Sequence, residues 1–159
     1  MNSLVMKISK IYLRLIVHDW DDRNIIDKLK NVFISGIDRK YIKETYSKDK
    51  GLISNNLIIY ELTLTNKNAI DILFSNLIYH GLNIDDIINN SNFDENCNLY
   101  LRIDKDYIKD YIIRIRYSDN SILLKISFDD YNKNKDKIYN FIKEYFGYIN
   151  KKFLDINIQ

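Results

Sequence analysis

Between Lys10 and His18 the chain alternates without a break. Ile11, Leu13, Leu15 and Val17 take one phase, and Lys10, Tyr12, Arg14, Ile16 and His18 take the other. Successive side chains of a strand point to opposite faces, so this run buries one face and leaves the other to solvent or to a partner. A chain that begins this way must build a sheet and must also supply something to cover its apolar side.

The cover is legible as helical spacing. Ile25, Ile26, Leu29, Val32 and Phe33 recur at the interval of a buried helical stripe, after Asp19, Asp21 and Asp22, whose carboxylates suit a helix N-terminus, and before a stop at Gly36. A second stripe, Ala69, Ile70, Leu73, Phe74, Leu77 and Ile78, follows a cap at Thr65 or Asn66 and ends at Gly81. Asn83 to Asn90 reads as one short helix. A last helix is expected from Lys133 to Phe146, with Ile138, Phe141, Ile142, Tyr145 and Phe146 buried and Gly147 closing it. Further strands are expected at Arg39–Ser47, Leu57–Leu64, Leu99–Ile103, Tyr111–Tyr117 and Ser121–Phe128, with a turn on Gly51 and a hairpin turn at Asp119-Asn120. The expected fold is α+β, an antiparallel or mixed sheet with helices packed on one face, in the order β-α-β-β-α-(α)-β-β-β-α. The 159 residues fit a single α+β domain over 1–159, and the alternation of the tail from Tyr148 to Gln159 fits no element.

Composition narrows the function classes. One cysteine, Cys97, excludes an internal disulfide and suits a reducing cytoplasmic compartment. Met1 to Ser9 has no secretory leader pattern, and no apolar run reaches the roughly 20 residues that span a bilayer, so no membrane partner is expected. The net charge is only +2, so an electrostatic case must rest on where the charges lie. The four glycines are isolated and form no phosphate loop. His18, His80 and Cys97 fit no paired metal-ligand spacing. A nuclease using Asp19, Asp21 and Asp22 with a cation lacks the remaining ligands of such a site, and helix capping is the better account of those acids. No cofactor, no metal and no catalytic residue is expected, so the chain reads as a binder and not an enzyme.

The strand phases carry one informative pattern. With Leu99, Leu101 and Ile103 inward, Tyr100 and Arg102 face outward. With Ile113, Ile115 and Tyr117 inward, Arg114 and Arg116 face outward. Lys125 is outward on the next strand, and Lys10, Tyr12 and Arg14 on the first. Guanidinium groups grip phosphates in a fork and stack on bases, and tyrosine rings stack on single-stranded bases. The same pattern also describes a solvated sheet face or the buried face of a homodimer.

Asn98 to Lys105 reads NLYLRIDK. This run resembles one found in a family of small archaeal RNA-binding-domain or exosome-subunit-like proteins. LRLIVHD (Leu13 to Asp19) is similar to that family's first strand, LKNVF (Leu29 to Phe33) to the end of its first helix, and LIIYELTLTNKNAIDILF (Leu57 to Phe74) to its next strand and helix. The likeness runs from about Lys7 to Phe146. It implies a fold similar to that of the ribosomal protein that binds five-S RNA, a dimer, a cytoplasmic location and a connection with RNA processing or degradation. Tyr100, Arg102, Asp104, Lys105 and His18 match the family's pattern. After Lys105 the family's glycine-containing turn is replaced here by Asp106, Tyr107, Ile108 and Lys109. The expected RNA contacts are Arg14, Tyr100, Arg102, Lys105, Arg114, Arg116 and Lys125. The alternative is a dimeric protein-interaction module with no direct RNA contact.

Overall fold

A computed structural model of the chain describes residues 6–49, 56–116, 118, 120–130 and 132–154. Six strands, β1 (Lys7–Val17), β2 (Lys43–Asp49), β3 (Leu57–Leu64), β4 (Asn92–Phe93), β5 (Leu99–Asp104) and β6 (Ser121–Asp129), form one sheet in the order β2-β3-β1-β6-β5-β4. Every pairing is antiparallel. The helices α1 (Ile25–Phe33), α2 (Lys67–Tyr79), α3 (Ile84–Asn90) and α5 (Lys135–Ile149) belong to a layer on one face, and a single turn, α4 (Lys105–Ile108), follows β5. This is the expected α+β architecture and order.

The long first strand is central because its apolar phase is uninterrupted. Ile11, Leu13 and Leu15 are completely buried, with β3 on one side and β6 on the other. A register shift between Ile8 and Lys10 resets the phase. It lets Ile8, three residues before Ile11, share the buried face. The core continues through Tyr60, Leu62, Leu101, Ile103, Leu124 and Ile126 of the neighbouring strands, and through Leu29, Phe33, Leu73, Phe74, Leu77, Ile87, Ile138 and Ile142 of the helices. The outer edge strand β2 is strongly charged, with Lys43, Glu44, Lys48 and Asp49, a composition that discourages edge-to-edge pairing.

Specific polar contacts fix the helices. Asn66 caps α2, its side chain accepting from the Ala69 amide at 3.0 Å. Lys30 of α1 reaches Glu44 of β2 at 3.1 Å, and the Tyr60 hydroxyl donates to the same carboxylate at 2.6 Å. Asp71 on α2 is buried and accepts from the Tyr145 hydroxyl at 2.6 Å and from the Lys152 ammonium at 3.4 Å. Burial and that hydrogen bond push the Tyr145 hydroxyl well above its usual range. The contact locks α5 and the turn after it onto α2.

Several expected boundaries move. The second strand begins at Lys43, since Arg39–Tyr41 is a 3-10 turn capped by Asp38. Tyr111–Tyr117 is not a regular strand: within its described part, one bridge, Ile103 to Ile115, ties it to β5. The short β4, in a stretch whose composition reads as a polar connection, adds a strand before β5. The Ile113 amide donates to the His80 carbonyl at 2.9 Å, and Gly81 adopts φ +118 there, where an added Cβ would meet the Ile113 carbonyl oxygen at 3.2 Å. This close crossing holds the segment against the end of α2. The three aspartates also differ from expectation. The N-cap of α1 is Asn24, with no side-chain capping bond. Asp21 instead accepts from the His18 amide at 2.7 Å, and Asp22 accepts from the Asn24 amide at 2.8 Å. The Gly51 turn and Asp119 lie outside the described residues.

Gly147 does not close the last helix, which runs on to Ile149 and then into a π turn, Asn150–Leu154. An exposed glycine inside a helix costs about 1 kcal/mol relative to alanine, and nothing lies within 4 Å of where its Cβ would stand. Gly147→Ala is therefore expected to raise stability by about 0.5–1 kcal/mol in urea unfolding. A lower midpoint would show that the glycine serves another purpose.

Candidate nucleic-acid interface

The sheet face opposite the main helix layer is where most of the outward residues gather. Register turns them into rows across the strands. Tyr12 of β1 faces Thr63 of β3 and Lys125 of β6, and Lys125 faces Tyr100 of β5. Two residues further along the strands, Arg14 faces Glu61 and Leu123, and Leu123 faces Arg102. Beyond Arg102 the row continues to Arg116, whose amide donates to the Arg102 carbonyl at 2.9 Å beside the Ile103–Ile115 bridge. One row is tyrosine-lysine-tyrosine and the next carries three arginines. Neighbouring strands are about 4.8 Å apart, so the backbones of Arg14 and Arg102 stand roughly 10 Å apart across Leu123.

The tyrosines are held in place by their hydroxyls. Tyr12 donates to Glu61. Burial, that hydrogen bond and the Glu61 charge push the Tyr12 hydroxyl up to about 12, so the ring stays neutral through the physiological range. Tyr100 donates to Asp94 at 3.0 Å, and Lys125 lies over the Tyr100 ring at 5.7 Å. Asp94 is the hub of the loop before β5. It accepts from the amides of Asn96 and Asn98, each at 2.9 Å, and from the Asn98 side chain at 2.9 Å. Desolvation opposes its charge, but the hydrogen bonds from Asn98, Tyr100 and Asn96 outweigh it and hold the carboxyl at about 2. A depressed carboxyl contributes stability that is present above its unfolded value near 4 and lost as pH falls through its folded value. The thermal midpoint of Asp94→Asn is therefore expected below that of the natural chain at pH 5, with the gap closing towards pH 2. A gap that stays constant down to pH 2 would show that the Asp94 charge is not what holds this loop.

The cations divide into two kinds. Arg14 and Arg102 are half-buried, yet neither guanidinium has a hydrogen-bond or ion-pair partner among the described residues. The others are engaged. Arg116 is paired with Asp104 at 3.3 Å and Asp106 at 3.9 Å. Arg114 is exposed, donates to the Tyr107 hydroxyl at 2.8 Å and lies over that ring at 4.8 Å. Neither belongs to a regular strand, so the expected strand-face placement of this pair is corrected to a loop flanking β5. Lys105 differs most from expectation. It is 3 % exposed, with its ammonium on Asp21 at 2.8 Å and on Asn120 at 3.0 Å. It reaches a ligand only through a cavity beside it.

That cavity, of about 110 Å³, is lined by Arg14, Ile16, His18, Arg102, Lys105, Asn120, Ser121 and Leu123. It sits where β1 ends and β6 begins. A larger concavity of about 460 Å³ lies towards the start of β1, lined by Lys10, Lys40, Tyr41, Ile42, Lys43, Thr63, Thr65 and Asn66. The two basic hollows flank the tyrosine row. Sequence reasoning placed Lys10 on this face but missed Lys40, Tyr41 and Lys43, because the start of β2 is masked by the 3-10 turn. Asn120 joined the cavity without a sequence signal for binding, and His18 was marked only by the family resemblance at the end of the first strand. Among the described residues no group of three or more His, Cys, Asp or Glu side chains could hold a metal ion, and no helix is long and apolar enough to cross a membrane.

Residues 10–128 match the model of a protein family described as RNA binding. Three solved structures share the fold. A protein from Archaeglobus fulgidus is 22% identical, with 87% of this chain and 99% of that chain covered and a TM-score of 0.67. One from Methanothermobacter thermautotrophicus is 24% identical, with 87% and 97% covered and a TM-score of 0.65. One from Sulfolobus solfataricus is 21% identical, with 91% and 99% covered and a TM-score of 0.64. No curated protein matches the chain in sequence.

Proposed function

We propose, from the premise that this chain belongs to the family described as RNA binding, that it is a non-catalytic RNA-binding protein whose open sheet face receives a single-stranded segment. The observation that carries this reading is the pair Arg14 and Arg102. Guanidinium groups held half-buried and with no ion pair among the described residues are costly unless a ligand supplies the counter-charge. Phosphate does so in the fork geometry that arginine favours.

In this reading Tyr12 and Tyr100 offer rings for stacking, Lys125 between them meets the backbone, and Lys10, Lys40 and Lys43 extend the path past Tyr41. Arg114 and Arg116 flank the path at the β5 edge. Lys105 acts from the floor of the cavity. The cellular role that fits is an accessory of RNA processing or degradation, within a larger complex and in the cytoplasm.

The test is fluorescence anisotropy with a short single-stranded RNA and a structured RNA at several salt concentrations. Salt-dependent binding that favours the single strand is expected. Absence of binding to either at low salt removes the reading.

A second reading has its own observation. Ile16 and Ile59 face one another across β1 and β3 on the same open face, and Leu123 lies close by between two arginines. An apolar centre with a charged rim also suits the interface of a homodimer, with no direct RNA contact at the face. Light scattering separates the two: this reading requires a dimer without RNA in which Arg14 and Arg102 are shielded from solvent.

A further inference from the structure

The small cavity at the end of the open face has the attributes of a site for one compact anion. Its walls bring together Arg14 from β1, Arg102 from β5 and Lys105 at the start of α4, with Asn120 and Ser121 at the start of β6. Donor capacity is unspent. Both guanidinium groups lack partners among the described residues. Lys105 has two acceptors among the described residues, Asp21 and Asn120, for three N–H bonds. Asn120 uses its side-chain oxygen for Lys105, which leaves its amide N–H groups to point elsewhere. The His18 ring, stacked on Trp20 at 4.5 Å, has an Nδ1 that is buried and has no hydrogen-bond partner.

Charge and size then select the ligand. The lining holds three cations and no carboxylate, while Asp21 meets Lys105 and Glu61 faces Arg14 from outside it. A phosphate monoester carries about −1.5 to −2 at pH 7, whereas an internal phosphodiester carries one negative charge. The cavity of about 110 Å³ accommodates a tetrahedral oxyanion and is too small to enclose a nucleoside. Buried Lys105 makes it a built site, since that ammonium is positioned by Asp21 and Asn120 before any ligand arrives.

We infer that this cavity is a phosphate subsite that takes the monoester at an RNA end, while the rest of the strand runs over the tyrosine row. The phosphate subsite stands on the cavity alone, and its assignment to RNA rests on the reading above. Arg14 and Arg102 clamp the oxygens from two sides, Lys105 meets them from beneath, and Asn120 donates from the rim.

The test has two arms. In the first, inorganic phosphate is titrated into the isotope-labelled protein at low ionic strength, and the amide signals of His18, Ser121 and Leu123 are followed. Saturable shifts are expected, and they should weaken about tenfold in Arg102→Gln and not in Lys143→Ala, which lies on the exposed side of α5. Absence of these shifts overturns the subsite, whatever RNA does. In the second arm, one oligoribonucleotide is compared with 5′-phosphate, 3′-phosphate and hydroxyl ends. One phosphorylated form is expected to bind about tenfold tighter, with the advantage gone in Arg102→Gln. Equal affinity for all three overturns the end assignment, although the RNA-binding reading survives. Phosphate shifts with no RNA binding at all keep the subsite and overturn RNA as its source.

Discussion

Replacing Arg14 and Arg102 together by alanine is expected to weaken single-stranded RNA binding by about a hundredfold and to flatten its salt dependence. The size follows from two charge-assisted contacts of about 1.5 kcal/mol each, a tenfold loss apiece. The slope follows from counterion release. Each phosphate contact on a single strand contributes about 0.7 to the log-log salt slope, so two lost contacts should reduce its magnitude by about 1.4. The substitutions should leave the fold intact, because neither guanidinium is bonded within the described structure and both lie on the face away from the main core. Affinity lost with no change of slope would mean that these arginines stack on bases or shape the surface without meeting phosphates. Affinity and slope both unchanged would take the RNA path off this face.

The contrast with Arg116 makes that experiment selective. Its guanidinium already meets Asp104 and Asp106, and it is well exposed. Removing it takes away a partly neutralised charge on the flank. An effect well below that of Arg102→Ala separates a shaped site from a diffuse basic patch, since a diffuse patch would weigh every cation alike.

The sequence carried the sheet and the helices because period is a local property. The alternation of Ile11, Leu13, Leu15 and Val17, and the stripe of Leu73, Phe74 and Leu77, needed no knowledge of neighbours, and both are buried as read. The same alternation placed Tyr12, Arg14, Tyr100, Arg102 and Lys125 outward. It misled at Tyr111–Tyr117, where Ile113 and Ile115 alternate with arginines but the segment is drawn to the His80 carbonyl at the end of α2 and, among its described residues, gives β5 one bridge. That outcome depends on a contact more than thirty residues away in sequence, which a window cannot contain. The cavity was illegible for the same reason. His18, Lys105 and Asn120 converge only after three strands are in register, and Lys105 looked like a surface cation because its partner Asp21 lies 84 positions earlier. The motif NLYLRIDK pointed to the right stretch of chain but not to the buried state of its last residue.

Lys105→Met is expected to destabilise the protein by about 3 kcal/mol, a large share of the roughly 5–15 kcal/mol typical of a domain. The ammonium is 3 % exposed and the Asp21 carboxylate that receives it 10 % exposed, at 2.8 Å. Removing the cation leaves a nearly buried carboxylate without its partner and Asn120 without its donor, and the desolvation already incurred is then uncompensated. The loss should be read as a lower urea midpoint at an unchanged slope with denaturant. The double change Lys105→Met with Asp21→Leu is expected to regain most of that stability, since apolar pairs of similar volume commonly replace a buried ion pair without penalty. It also removes one positive and one negative charge together, so the net charge around the cavity is the same as before. The double variant thus isolates the ammonium's own donors. If Lys105 only braces the end of β1 against α4, the refolded double variant should bind phosphate and RNA like the natural chain. If Lys105 forms the floor of a phosphate subsite, the double variant should recover its stability and still bind phosphate about tenfold more weakly. A single variant as stable as the natural chain would show that the pair at 2.8 Å contributes nothing to holding this end of the sheet together.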